Sequence, residues 1–424
     1  MITPIVLLLG GTMMKKSCYF CDEDKTLIPF ESQHGKIHVC PHCVDKLDVN
    51  EEDEDKEPTF EVPMLTPQEI KKEMDKVVIG QDQAKKVLAT EIYKHYIRIK
   101  NKAYLKATGK KLGKTNILLT GLSGTGKTLM AQTLANIVGV PFSIGDATSL
   151  TEAGYVGEDV ENLVLGLIRS SNYNLELAQI GIIYIDEIDK VAKKSQNVSI
   201  TRDVSGEGVQ QGLLKLVEGH NIRVPMQGGR KHPGQPMHEI NTEDILFIAG
   251  GAFMGIEEIV AERLKDSNKP TIGFGAVASS SKKEEDAELL KKYRENISVE
   301  DLKKFGLIPE FLGRFSVVSN LHPLEIKDLV AILQESENSI IKEYQTLFEL
   351  QGKSLHFTNE AIIEIATIAY EKGIGARGLR SIIEEVMLDV IYEMPSSKQT
   401  HYEITLDFIK GYVFEELESN EEIA

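Results

Sequence analysis

The sequence predicts an α/β protein: a large domain built on a doubly wound parallel sheet, a small α+β domain after it, and a cysteine-rich module before it. Three observations carry this. Short apolar runs at 115–120, 181–185 and 244–249 suit buried parallel strands, with helix-compatible stretches at 129–138 and 158–170 between them. From 321 to 414, helical patterns (324–347, 359–372, 376–392) alternate with short strand-like runs at 354–357 and 402–406. All four cysteines fall between positions 18 and 43, as two CxxC pairs.

A chain of 424 residues has room for two or three cores, and 42% hydrophobic with 27% charged side chains is ordinary for a globular protein. Its 48 basic against 65 acidic side chains leave a formal charge of −17, which disfavours a broad nucleic-acid surface while leaving room for a local basic patch. Much of the excess lies at 48–61 and 415–424, segments without apolar periodicity that read as solvated linker and tail. The apolar run at 5–9 is far shorter than the roughly 20 residues of a membrane span, and no basic region precedes it as in a signal peptide. Met13 and Met14 stand just before the patterned region, so residues 1–12 are expected to be an extension upstream of the true start, or disordered. The cytoplasm is the expected compartment. The organisation that follows is a zinc-binding domain at 13–50, an acidic linker at 51–64, a large domain at 65–318, a small domain at 319–414 and an acidic tail at 415–424.

Cys18, Cys21, Cys40 and Cys43 form two knuckles whose thiolates can complete one tetrahedron around zinc. A disulfide pair is the competing reading, and a cytosolic setting disfavours it. His34, His38 and His42 lie close enough to compete as ligands, but four thiolates already saturate a structural site. Such a metal stabilises a segment too short to build a core, and does no catalysis.

The run at 115–120 passes directly into Gly121-Leu-Ser-Gly-Thr-Gly-Lys-Thr128 and then into a helical stretch. This is GxxxxGK[ST] in its strand–loop–helix setting, in which backbone N–H groups and the helix N-terminus receive phosphates. Gly121, Leu122, Ser123, Gly124, Thr125, Gly126, Lys127, Thr128 and Leu129 are therefore candidate ATP contacts, Lys127 toward the β- and γ-phosphates and Thr128 toward Mg²⁺. A Gly-rich turn without phosphate is the alternative, and Lys127-Thr128 at its end argues against it. The run at 181–185 ends in Asp186-Glu187, the first placed to hold Mg²⁺ through water and the second to act as general base on the attacking water.

With these motifs in order, the chain resembles the AAA+ ATPases, and within them the HslU/ClpX group. The resemblance spans about 15 to 414 and rests on the Cys₄ module, the Val78-Ile79-Gly80-Gln81 box, the Leu150–Asp159, Ile200–Gly208 and Gly228–His232 segments, Ile272-Gly273-Phe274, 306–314 and Gly375-Ala376-Arg377. It implies a ring, hexameric in this group, that unfolds tagged proteins through an axial pore and passes them to a ClpP-type peptidase. It places Val78 and Ile79 against the adenine, Tyr155 and Val156 in a first pore loop that grips polypeptide, and 195–203 in a second. Arg230, Lys231 and His232 would attract substrate tags at the pore entrance, and adaptors would be read by the zinc module. Arg314 resembles the arginine finger that serves a neighbour's ATP, Arg377 the sensor-2 residue, and Ile272, Gly273 and Phe274 a peptidase-docking tip in a mobile polar loop at about 265–300. Plainer readings stand beside these: Tyr155 as a local core plug, 230–232 as a solvated loop, Arg314 as a surface ion-pair partner. Ala249-Gly250-Gly251 offers no polar side chain where many AAA+ proteins carry one, so no sensor-1 residue is assigned. Val77 stands where the family commonly has Tyr. No HExxH or GxSxG occurs, so any proteolysis happens in trans. A stand-alone remodelling chaperone, or a nucleic-acid motor built on the same phosphate loop, are the alternatives.

Overall fold

The structure, a computed structural model, describes residues 28–32, 35–40, 64–151, 158–193, 206–226, 236–267 and 281–411. The chain divides into two compact units, Met1–Glu61 and Val62–Ala424. In the first, β1 (Ile28–Ser32) and β2 (Gly35–Val39) pair antiparallel with Ile28 opposite Val39, and Cys40, which follows β2, is buried.

The second unit opens with the helix Pro67–Val77. Its start is set by a reciprocal cap, in which Thr66 Oγ1 accepts from the Glu69 N–H and the Glu69 carboxylate accepts from the Thr66 N–H, with Pro67 at the first helical position. The helix Asp82–Lys100 follows the Val78–Gln81 box. The chain then lays down β3 (Ile117–Thr120), the helix Lys127–Val138, β4 (Phe142–Asp146) and the short parallel pair β5 (Leu150–Thr151) and β6 (Glu158–Asp159). After the helix Asn162–Ser170 come β7 (Ile182–Asp186), the helix Glu207–Glu218, the antiparallel hairpin of β8 (Asn221–Pro225) and β9 (Met237–Asn241), and β10 (Leu246–Gly251). The helices Ile256–Ser267, Ser281–Glu295 and Val299–Phe305 lead to β11 (Val317–Asn320).

Five of these strands form one parallel sheet in the order β11-β3-β10-β7-β4. Strand side chains alternate between faces, so each face carries its own core. Leu118, Ile183, Ile185, Phe247 and Ala249 join one apolar cluster, while Ile117, Leu119, Ile182, Tyr184, Leu246 and Ile248 join the other. The three runs expected from the sequence, as β3, β7 and β10, are thus buried on both sides, as their near-continuous apolar pattern requires. Parallel order also brings the C-terminal ends of β3, β7 and β10 together, where ligands bind in such sheets.

A third core, around Leu329, Phe348, Ile365 and Ile383, organises the C-terminal part. There the helices Ile326–Gln334, Ile340–Leu350, Asn359–Glu371 and Gly375–Glu393 pack with the parallel pair β12 (Ser354–Phe357) and β13 (His401–Ile404).

Three expectations change. The stretch 265–300, read as a polar loop, holds the end of one helix and all of Ser281–Glu295; its Lys, Glu, Ala and Leu are helix formers, and charge alone misled. The single helix expected at 324–347 breaks between Gln334 and Ile340 without Gly or Pro. Ser336 Oγ there donates to Val77 O at 3.0 Å and Ser339 Oγ to Leu333 O, so hydroxyls end the helix. Strands β4 and β11, at the sheet edges, gave no continuous apolar signal because their residues are only partly buried. Among the described residues no helix is long and apolar enough to cross a membrane.

Candidate active site

The residues 121–128 turn from the end of β3 into the helix Lys127–Val138, with Gly124 at φ 77° and Gly126 at φ 93°, a backbone hand that side chains resist. At Gly124 space is tight as well. A Cβ there would lie 3.0 Å from Ile374 O and 3.1 Å from Ala376 N, because the start of the helix Gly375–Glu393 comes against the loop. This contact brings Arg377 to the site, where its Nη1 donates to Ser123 Oγ at 3.2 Å.

Lys127 is largely buried and donates to Gly121 O at 2.6 Å and Leu122 O at 3.0 Å. Burial lowers its ammonium pKa to about 8; Asp186 and Asp189 oppose this, and Arg377 and Arg294 add to it. The ammonium thus sits on neutral carbonyls of its own loop, with exchangeable hydrogen bonds and charge to spare for phosphate oxygens. Thr128 Oγ1 donates to Asp186 Oδ2 at 3.2 Å, and the other carboxylate oxygen accepts from Tyr184 OH at 3.2 Å and the Glu187 N–H at 3.0 Å. A hydroxyl beside an oriented carboxylate is the hard-oxygen pair Mg²⁺ takes. Glu187 leaves β7 with φ 54°, an uncommon conformation for a residue with a side chain, and Asp189 beyond it accepts from the Ala252 N–H at 3.0 Å.

In the box between the helices Pro67–Val77 and Asp82–Lys100, Val78 is buried and Ile79 half-buried. Gln81, at φ 57°, pins this box to the segment between the two cores: its Nε2 donates to His322 O at 2.8 Å and its Oε1 accepts from the His322 N–H at 3.1 Å.

Arg314 lies elsewhere. The Asn116 side chain, at the start of β3, donates to Arg314 O at 2.9 Å and to Val217 O at 3.3 Å, so Arg314 sits at the end of β3 opposite to the phosphate loop. Its half-exposed guanidinium pairs with Glu218 at 2.5 Å. The second Glu218 oxygen lies 3.0 Å from His220 Nε2; His220 first, and Arg314 after burial's opposing effect, hold this carboxyl below its usual range.

The structure therefore brings residues 121–128, Asp186, Glu187 and Arg377 together and keeps Arg314 away from them. Tyr155, Val156, Arg230, Lys231, His232, Ile272, Gly273, Phe274, Cys18, Cys21 and Cys43 lie outside the described residues. Sequence reasoning missed Tyr184, whose hydroxyl reaches Asp186 two residues on from within an apolar run, and Asn116 and Glu218, which meet Arg314 from far along the chain; the polar Asn116 at the head of an apolar strand was the one local signal.

The fold and this site define a AAA+ ATPase, an ATP-hydrolysing enzyme. The model of the AAA domain (Cdc48 subfamily) matches residues 113–318, and that of the C-terminal, D2-small domain of ClpB protein matches 324–406. The relatives narrow the class. An ATP-dependent Clp protease ATP-binding subunit ClpX from Borrelia duttonii is 50% identical over 389 residues, covering 91% of this chain and 88% of the relative. Those of Treponema denticola (48% over 393 residues, 92% of each chain) and Bacteroides fragilis (46% over 404 residues, 93% and 95%) are similar along the same length. The chain belongs to the ClpX family.

Proposed function

We propose that the chain is an ATP-driven protein unfoldase and translocase that works as a ring, pulls tagged proteins through an axial pore and delivers them to a ClpP-type peptidase. The observation that carries the ring reading is the placement of Arg314. Four strand residues, roughly 13 Å, separate it from the phosphate loop of its own chain. A half-exposed guanidinium so placed serves an ATP held by another copy.

In this reading the amides of 121–128 and Lys127 hold the phosphates, Val78 and Ile79 the adenine side, and Glu187 accepts a proton from the attacking water. Thr128 and Asp186 would hold Mg²⁺, which when bound neutralises phosphate charge as a Lewis acid. Arg377 couples nucleotide to the small domain through the loop it touches at Ser123. Tyr155 and Val156 grip substrate, Arg230, Lys231 and His232 draw in its tag, and Ile272, Gly273 and Phe274 dock the peptidase. Cys18, Cys21, Cys40 and Cys43 hold a structural zinc in a module that receives adaptors; the burial of Cys40 beside the β1–β2 hairpin suits a ligand thiolate.

The test is degradation of a tagged, stably folded protein by this chain with ATP and purified ClpP-type peptidase, alongside ATP hydrolysis with unfolded polypeptide or DNA added. Degradation, with hydrolysis stimulated by polypeptide alone, is the expected result. Stimulation by DNA instead, or remodelling that never feeds the peptidase, overturns it.

A further inference from the structure

Strand β10 ends beside the hydrolysis site in Gly250-Gly251, followed by Ala252, and brings no polar side chain of its own there. A charge arrives there from a distant segment. Arg294, in the last turn of the helix Ser281–Glu295, is fully buried. Its Nη1 donates to Ala252 O at 2.5 Å, and its Nη2 pairs with Glu257 in the first turn of the helix Ile256–Ser267. Ala252 is held on its other side too, since its N–H donates to Asp189, two residues beyond Glu187. The next residue, Phe253, is buried with φ 48°, a conformation that persists only where its surroundings enforce it.

A buried guanidinium is a poor stabiliser, because an apolar side chain of similar volume avoids its desolvation cost. Among the described residues, Arg294 Nε is buried without a hydrogen-bond partner, so even its donors are incompletely used. Its field nevertheless reaches Lys127, and Asp189 acts on it in turn. We propose that Arg294 is a positioning residue for ATP hydrolysis: by fixing Ala252 it fixes Asp189 and the turn carrying Glu187, and it places a positive charge where β10 supplies none. The inference rests on Glu187 as the base.

Arg294→Met, Arg294→Lys and Glu257→Gln in the assembled full-length protein test it, with steady-state hydrolysis, nucleotide binding and thermal melting measured on each. Arg294→Met should lower kcat about ten- to hundredfold, the scale of a small misplacement in an active site, with KM and nucleotide affinity within about twofold of wild type. Arg294→Lys should recover part of kcat, and Glu257→Gln should lower it about threefold by loosening the guanidinium. Wild-type kcat in Arg294→Met, or a loss matched in nucleotide affinity, overturns the proposal. Should that variant fail to fold, unchanged kcat in Glu257→Gln does the same. Glu187→Gln separates the two readings: normal hydrolysis there removes the base assignment, whereas an inactive Glu187→Gln beside a fully active Arg294→Met removes only the role of Arg294.

Discussion

Arg314 Nη2 lies 2.5 Å from Glu218 Oε1, and the other oxygen of that carboxylate is bound to His220. The guanidinium is aimed by its own chain while remaining half-exposed, at the end of β3 remote from its own phosphate loop. In the proposed ring, a finger presented in this way would make each hydrolysis site a product of two subunits.

Composite sites can be separated by complementation. Arg314→Ala and Glu187→Gln should each bind ATP and each lose hydrolysis, the former by on the order of a thousandfold. Mixed rings should regain activity, because an Arg314 from one variant then faces a Glu187 from the other. A mixture as inactive as its components counts against a finger acting between copies.

The bond from Arg377 Nη1 to Ser123 Oγ joins the small domain to the phosphate loop. Removing a charged hydrogen-bond donor should cost more than removing its neutral acceptor. Arg377→Ala should weaken ATP binding about tenfold and Ser123→Ala about twofold, read by nucleotide titration. Equal affinities in wild type and Arg377→Ala would leave this contact without a role in binding.

Lys114 gives a pH test of stability. Its Nζ donates to Thr242 O at 2.7 Å and lies 4.8 Å from the centre of the Phe247 ring. Burial, with Arg98 adding, lowers its pKa from 10.5 to about 7, and Asp244 and Glu243 only partly oppose this. Below pH 7 both folded and unfolded chains hold the proton, and the folded state bears the whole cost of a buried charge. Between pH 7 and 10.5 the unfolded chain binds more protons, so this group makes stability rise with pH, by at most about 1.4 kcal/mol per unit. The melting-temperature advantage of Lys114→Met over wild type should therefore be larger at pH 6.5 than at pH 9.5. A difference independent of pH would mean that Lys114 stays charged.

Elemental analysis of the purified chain should find one zinc per chain, falling sharply in Cys21→Ser, while ATP hydrolysis by the separate body from Val62 onward persists. Zinc-free wild-type protein would overturn the Cys₄ assignment.

What the sequence by itself determined was local. The phosphate loop, its strand and helix, and Asp186-Glu187 are contiguous motifs whose chemistry needs neighbours in the chain, so residues 121–128 and 182–187 were legible before any coordinates. The three double-faced strands β3, β7 and β10 were legible for a related reason, since burial on both sides demands a continuous apolar run. Tertiary structure alone decided the rest. Edge strands β4 and β11, half-buried, leave no such run, and the helix break at Ser336 answers to the carbonyl of Val77 in another element. The pairings of Arg314 with Glu218, Arg377 with Ser123 and Arg294 with Ala252 join residues far apart in the chain. No local pattern encodes them, because a side chain's partner is set by how strands and helices stack, and that follows only from burying the three cores.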